Sequence, residues 1–166
     1  MKHLVFTLAA TLMTTLALGC TSVTAAQPVL AVDHPEANLF DETRDAKADL
    51  EAALAQGVAE DKVTLVAMGA NWCHDSRALA GWFTKDEEFV TLLEDEFVVT
   101  YIDVAQKNRN IDIAQRFGYN EIVGTPTLFM VAPDGTVLNP DTAGTWRNSA
   151  SRTKPEILAE LQKALN

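Results

Sequence analysis

From Asp45 onward the apolar positions Ala46, Leu50, Ala53 and Leu54 recur at helical spacing, which predicts an amphipathic helix ended by Gly57. Lys62 to Ala70 is a short apolar run between a charged turn and Gly69, the pattern of a central strand buried on both faces. A helix is predicted next from Cys73, turning Leu79, Trp82 and Phe83 inward, with Gly81 as a point for a kink. Glu87 to Glu96 gathers Phe89, Val90, Leu92 and Leu93 into a further helical pattern, and Phe97 to Val104, rich in Val, Tyr and Ile, reads as a strand. Asn110 is placed to cap a short helix from Ile111 to Phe117, closed by Gly118.

Leu128 to Val131 is the next strand, and Pro133-Asp134-Gly135 predicts a hairpin turn into a strand around Thr136 to Leu138. Asn139 to Arg152 is a polar loop holding Gly144, Trp146 and Arg147. The last helix, Pro155 to Leu165, buries Ile157, Leu158, Leu161 and Leu165. Phe83, Phe89, Phe97 and Phe117 read as core. Strands alternating with helices and ending in a hairpin and a helix give an α/β sandwich, a central mixed β-sheet flanked by helices with an N-terminal helical extension.

The N-terminus changes the picture of where this domain works. Lys2 and the uncharged stretch from Leu4 to Gly19 have the form of a secretion signal, too short and wrongly flanked for a membrane span. Leu16-Ala17-Leu18-Gly19-Cys20 resembles the bacterial lipobox, in which the cysteine receives lipid and becomes the mature N-terminus. Such boxes favour Leu three residues before the cysteine, where this chain has Ala17. The alternative is ordinary signal-peptidase cleavage after Ala26, with Thr24 and Ala26 as the small residues. Either processing exports the protein to the periplasmic side of a bacterial membrane, lipid-anchored or soluble. The organisation is then a signal peptide over 1–20, a linker over 21–40 containing Pro28 and Pro35, and a domain over 41–166. His34, between Asp33 and Pro35, reads as a solvated linker histidine.

With 166 residues the chain is long enough to bury roughly two thirds of its unfolded surface without disulfides or metal. The 13 basic and 23 acidic residues give a net charge of −10, and loss of a signal segment carrying only Lys2 takes it to −11. Such acidity argues against nucleic acid or anionic lipid as the main partner. Of two cysteines, Cys20 is lipidated or removed, so Cys73 stands alone and has no intramolecular partner.

Cys73 sits where a buried strand turns into a helix. Unpaired N–H groups and the positive end of the helix dipole stabilise a thiolate at such a position. Trp72-Cys73-His74-Asp75-Ser76 matches the W-C-x-x-C element of the thioredoxin-like superfamily except at Ser76. Gly124-Thr125-Pro126-Thr127 matches that superfamily's G-[TIV]-P-T element, Asn110 to Gly118 resembles its N-x-x-I-A-x-x-[FY]-G helix, and Pro133-Asp134-Gly135 its hairpin. The match covers about Asp45 to Asn166, with these four elements in the right order and spacing. The resemblance implies a nucleophilic Cys73 at a helix tip beside Trp72. It also implies a cis Pro126 opposite the thiol, and a Thr125 backbone that pairs with an extended substrate segment as an added strand. His74 and Asp75, within the same motif, are candidate substrate-binding residues. Trp146 and Arg147 fall near the same end, where an exposed tryptophan beside an arginine suits a partner and a tryptophan that covers its loop is the plainer alternative.

Two departures from the superfamily pattern are linked. Ser76 replaces the resolving cysteine, and Ala67 stands where thioredoxins carry a buried aspartate that serves that second thiol. Escape from a mixed disulfide then needs an external thiol or another thiol of the substrate, and the Ser76 hydroxyl is left to hydrogen-bond the Cys73 thiolate. The expected function is thiol-disulfide exchange through mixed disulfides with exported proteins or a small-molecule thiol. The alternative is a redox-inactive binding or chaperone-like module that uses the cis-Pro groove. No cofactor is expected. His74 and Asp75 offer too few ligands for a metal site. The expected state is a monomer, with a Cys73-linked dimer as the variant form.

Overall fold

Asp45 begins the first helix, its carboxylate accepting from the N–H groups of Lys47 and Ala48 at 3.1 Å each. In the computed structural model, which describes residues 33–166, helix α1 runs over Ala46–Glu60. The signal segment, Cys20, the Ala26 cleavage site and the first part of the linker lie outside the described residues. Helix α1 does not stop at Gly57. It ends at Asp61, in the left-handed region at φ 55°, whose N–H bonds back to the Gly57 carbonyl. Gly57 is instead a packing position, because a Cβ there would lie 2.3 Å from Thr64 Oγ1.

Strand β1, Val63–Gly69, is buried along its whole length and forms the centre of a three-stranded sheet. It pairs in parallel with β2, Phe97–Asp103, and antiparallel with β3, Thr127–Val131, so that Ala67 lies between Tyr101 and Leu128. Successive strand residues face opposite sides. Val63, Leu65 and Ala67 therefore join one core layer and Val66 and Met68 the other. The first layer receives Leu79, Trp82 and Phe83 of α2 (His74–Lys85), Phe89 and Leu93 of α3 (Glu87–Glu96), and Ile157 and Leu161 of α5 (Lys154–Lys163). The second receives Ala46 and Leu50 of α1 and Ile113 of α4 (Ile111–Arg116), with Phe117 just beyond that helix. Each large side chain so buried contributes about 1.5–3 kcal/mol. The mixed sheet between helices is thus as the periodicity predicts. No helix among the described residues is long and apolar enough to cross a membrane.

Several local expectations differ from the structure. Helix α2 is continuous through Gly81, which has the N-terminal segment laid across it. The turn at Pro133-Asp134-Gly135 forms, with Gly135 N–H donating to Ala132 O at 2.9 Å, but Val137 makes only an isolated bridge to Val131. The returning chain ends its pairing because Asn139 takes over with its side chain. Its amide accepts from Met130 N–H and donates to Leu128 O, both at 2.8 Å. The polar loop coils into a 3₁₀ segment over Ala143–Ser151, and Trp146 within it is 1% exposed, part of the core rather than a partner surface. Leu165, expected inside, is on the surface.

The described part of the expected linker packs on the domain. Ala37 N–H donates to Arg77 O at 3.0 Å, and Phe40 is buried edge-on against Tyr101 at 5.6 Å. The Asn71 side chain grips the Phe40 backbone from both sides, accepting its N–H at 3.1 Å and donating to its carbonyl at 2.9 Å. Residues 33–40 therefore form a strap along α2 that ends where the β1–α2 turn begins.

Candidate active site

Cys73 is the N-cap residue of α2, in extended backbone conformation, with no side-chain capping bond of its own. It is half-buried and the free thiol among the described residues. Its Sγ–H donates to the Thr125 carbonyl at 3.1 Å. The Thr125–Pro126 peptide bond is cis, and both residues are buried at the start of β3. Two segments far apart in sequence therefore meet at the thiol: the helix tip after the central strand, and the loop that opens its antiparallel neighbour.

Trp72 stands beside the thiol with 51% of its surface exposed, yet its indole is fixed, because Nε1–H donates to Ala105 O at 2.8 Å. That carbonyl is held in turn by Asp103. Asp103 Oδ1 accepts Ala105 N–H at 2.9 Å and Arg109 Nη1 at 3.1 Å, while Asn110 Nδ2 donates to Asp103 O at 2.8 Å. Asn110 thus anchors the β2–α4 loop, not α4's first N–H groups, for which its side chain makes no capping bond. Between Trp72, Asn71, Asp103, Ala105 and the Leu39–Phe40 part of the strap lies an open hollow of about 800 Å³.

The other predicted residues separate. Ser76 is fully buried, and its hydroxyl accepts Ala70 N–H at 3.4 Å, so the bond it makes is to the end of β1 and not to Cys73. Asp75 is also turned inward. Its Oδ1 accepts Ala150 N–H at 2.9 Å, tying the first turn of α2 to the 3₁₀ segment, a structural tie where a substrate contact was expected. Ala67, in the sheet centre, is fully buried among apolar neighbours, so the position offers no proton carrier. Arg147 is exposed and lies over Gly124, whose added Cβ would come 2.6 Å from Arg147 Cδ.

His74 points away from the core toward the strap. Its Nε2 is 3.2 Å from Glu36 Oε1, and its ring lies 4.8 Å from that of His34. His34 is accordingly not a solvated linker residue but half-buried against the site. The second Glu36 oxygen accepts Arg77 Nε–H at 2.8 Å, and the Arg77 guanidinium holds the Glu36 carboxyl below the usual carboxylate range. Sequence reading missed Glu36 and Arg77 because they lie 41 residues apart, and no local pattern joins them.

A family model described as thioredoxin-like matches residues 45–133. Among solved structures, a disulphide isomerase from Xylella fastidiosa Temecula1 is 30% identical, with a TM-score of 0.67 over 80% of this chain and 99% of its own. A thioredoxin from Thermus thermophilus is 24% identical, with a TM-score of 0.52 over 69% and 82% of the two chains. A poplar thioredoxin h is 19% identical, with a TM-score of 0.50 over 78% and 98%. These last two share the fold. No curated protein matches. The family match covers more than half of the chain, and with the cis proline facing a cysteine at a helix tip it has one meaning: the chain belongs to the thioredoxin-like family.

Proposed function

We propose that this protein carries out thiol-disulfide exchange with Cys73 as its single nucleophile. The observation that carries the reading is the position of the Cys73 thiol at the α2 N-cap, 3.1 Å from the carbonyl that precedes cis Pro126. The similarity to a disulphide isomerase supports the reaction class. To attack, Cys73 gives up the bond to Thr125 and loses its proton to solvent. The thiolate then displaces one sulfur of a substrate disulfide, forming Cys73–S–S–R and releasing the other sulfur as a thiolate that takes up a proton. With Ser76 and not cysteine in the next turn, a second thiol must come from outside. A free thiol of the same substrate, or a small-molecule thiol, attacks the mixed disulfide, restores Cys73 and leaves a new disulfide. Electrons balance without net oxidation of the enzyme, which is isomerisation or reshuffling rather than net oxidation or reduction by an internal pair.

The Trp72 indole, fixed by its bond to Ala105 O, gives a substrate segment an apolar surface on the residue next to the thiol. The apolar segment from Leu4 to Gly19, followed by Cys20, supports an exported and lipid-anchored or soluble form, where disulfide substrates are available.

Incubation of the full-length chain with a disulfide-bonded model protein, followed by non-reducing electrophoresis, tests the reading. A mixed disulfide is expected, absent in Cys73→Ser and released by a small thiol. If Cys73 reacts no faster than a free thiol and traps no protein, the reading is overturned. Partner recovery that survives Cys73→Ser assigns the groove to binding alone.

A further inference from the structure

We propose that His34, Glu36 and His74 form a site for a borderline divalent metal ion, best matched by Zn²⁺, that cross-links the N-terminal strap to the first turn of α2. The site stands independently of the thiol chemistry. One potential ligand atom from each of the three side chains lies within 4.8 Å of the others. Ligand atoms about 2.0–2.1 Å from a tetrahedral Zn²⁺ are separated by about 3.3 Å from each other. The His74 Nε2 to Glu36 Oε1 distance of 3.2 Å already has that value. The remaining edges are no longer than 4.8 Å and close by small rotations of side chains that are exposed or half-buried.

The donor set selects the ion. Two imidazoles and one carboxylate suit Zn²⁺ and its neighbours in the transition series, whereas Ca²⁺ and Mg²⁺ require oxygen and Cu(I) prefers sulfur. Three protein ligands leave a fourth position open to water or to an incoming group.

The surroundings orient these ligands as the partners of a metal site do. Glu36 uses Oε2 for Arg77 Nε, leaving Oε1 free to face the histidines, and Arg77 is itself held by donating Nη1–H to Asn71 O at 3.0 Å. In the tautomer with a proton on Nδ1, His34 donates to Pro35 O at 3.4 Å, which leaves Nε2 as its ligand atom. The strap is secured to α2 by other contacts, Ala37 N–H to Arg77 O and the close approach of Pro35 to Gly81. The Glu36 ion pair with Arg77 adds to this docking, whereas the approach of His34 to His74, rings 4.8 Å apart, adds no hydrogen bond between strap and helix.

Calorimetric titration of the full-length chain with Zn²⁺, with Co²⁺ absorption as a second probe of a tetrahedral nitrogen and oxygen site, tests the assignment. Saturable binding of one ion per chain is expected. His34→Ala and His74→Ala should each weaken it about tenfold or more, and Cys73→Ser should leave it intact. Zn²⁺ should raise the unfolding temperature of the native chain but not that of His34→Ala, because an ion bound only to the folded state stabilises by mass action. Absence of saturable binding overturns the proposal. So does binding lost in Cys73→Ser but kept in both histidine variants, which assigns the ion to the thiol, or binding unchanged in all three, which assigns it to the acidic surface.

Discussion

Gly81 lies directly beneath Pro35: a Cβ built on it would come 2.0 Å from the Pro35 carbonyl oxygen and 2.6 Å from Glu36 N. Alanine normally stabilises a helix interior over glycine by about 1 kcal/mol. Here the methyl group meets backbone that cannot swing aside, so Gly81→Ala is expected to destabilise and to lift the strap from α2. Urea unfolding should show a lower midpoint, and limited proteolysis should cut within residues 33–40 sooner than in the native chain. A variant with a raised midpoint and an uncut strap would show that the strap does not pack there.

Asp75 tests a role that its position in the motif disguises. Because its carboxylate holds the Ala150 N–H, Asp75→Ala leaves that donor without its partner, at a cost of about 1–3 kcal/mol. Asp75→Asn keeps an acceptor and should recover most of the loss. Capture of disulfide partners per folded molecule should be the same in all three proteins, measured alongside denaturant unfolding. A selective loss of capture in Asp75→Asn with stability unchanged would return the residue to the substrate surface.

Acid sensitivity should trace in part to Asp86, the N-cap of α3, which accepts the Glu88 and Phe89 N–H groups and binds Lys154 Nζ through both oxygens at 2.7 and 2.9 Å. Partial burial pushes this carboxyl up, but the Lys154 ammonium and the backbone donors together outweigh it and hold it below the ordinary carboxylate range. A carboxyl whose folded pKa lies below its unfolded value of about 3.9 stabilises the fold above that value and loses the contribution as pH falls through the folded pKa. Asp86→Asn retains a capping side chain and removes the charge. The stability gap between the native chain and this variant should be steady from neutral pH to about pH 5 and shrink below about pH 4, as read by urea unfolding at each pH. A gap that widens in acid would give the shift the opposite sign.

Trp72 is held by one hydrogen bond and is half in solvent, so Trp72→Phe should cost less than about 1.5 kcal/mol. Its effect should fall on exchange. Mixed-disulfide formation by Cys73 is expected to slow while the unfolding midpoint hardly moves, and the reverse pattern would make the indole a structural prop.

The elements with strong local signals were legible before the structure. Helix α3 runs over Glu87–Glu96 as its spacing predicts, and Cys73 faces the Thr125-Pro126 loop as the motif resemblance implies. What was not legible depended on distant neighbours. Gly57 has the identity of a helix terminator, but Thr64 in the next strand requires its missing side chain. Trp146 sits in a polar stretch that suggests exposure, yet the core takes it in and the Arg152 guanidinium covers its ring at 4.7 Å. Ser76 reads as a partner for the thiol until the burial of its side chain at the end of β1 is seen. His34 and His74 are separated by a helix, a strand and a turn, so nothing in the order of residues brings them together.

The Asn139 side chain has a meaning beyond the turn it completes. Strand β3 is an outer strand of the sheet, and such strands offer bare N–H and C=O groups on which a second molecule can add itself. Here the Leu128 carbonyl and Met130 N–H are taken by one amide, the Met130 carbonyl by Leu138 N–H, and the Ala132 N–H by Thr136 O. A segment only five residues long and wholly apolar after its first threonine is thereby closed to intermolecular pairing. Asn139 thus closes the outer edge of β3, one of the two outer strands of this sheet, to a further strand.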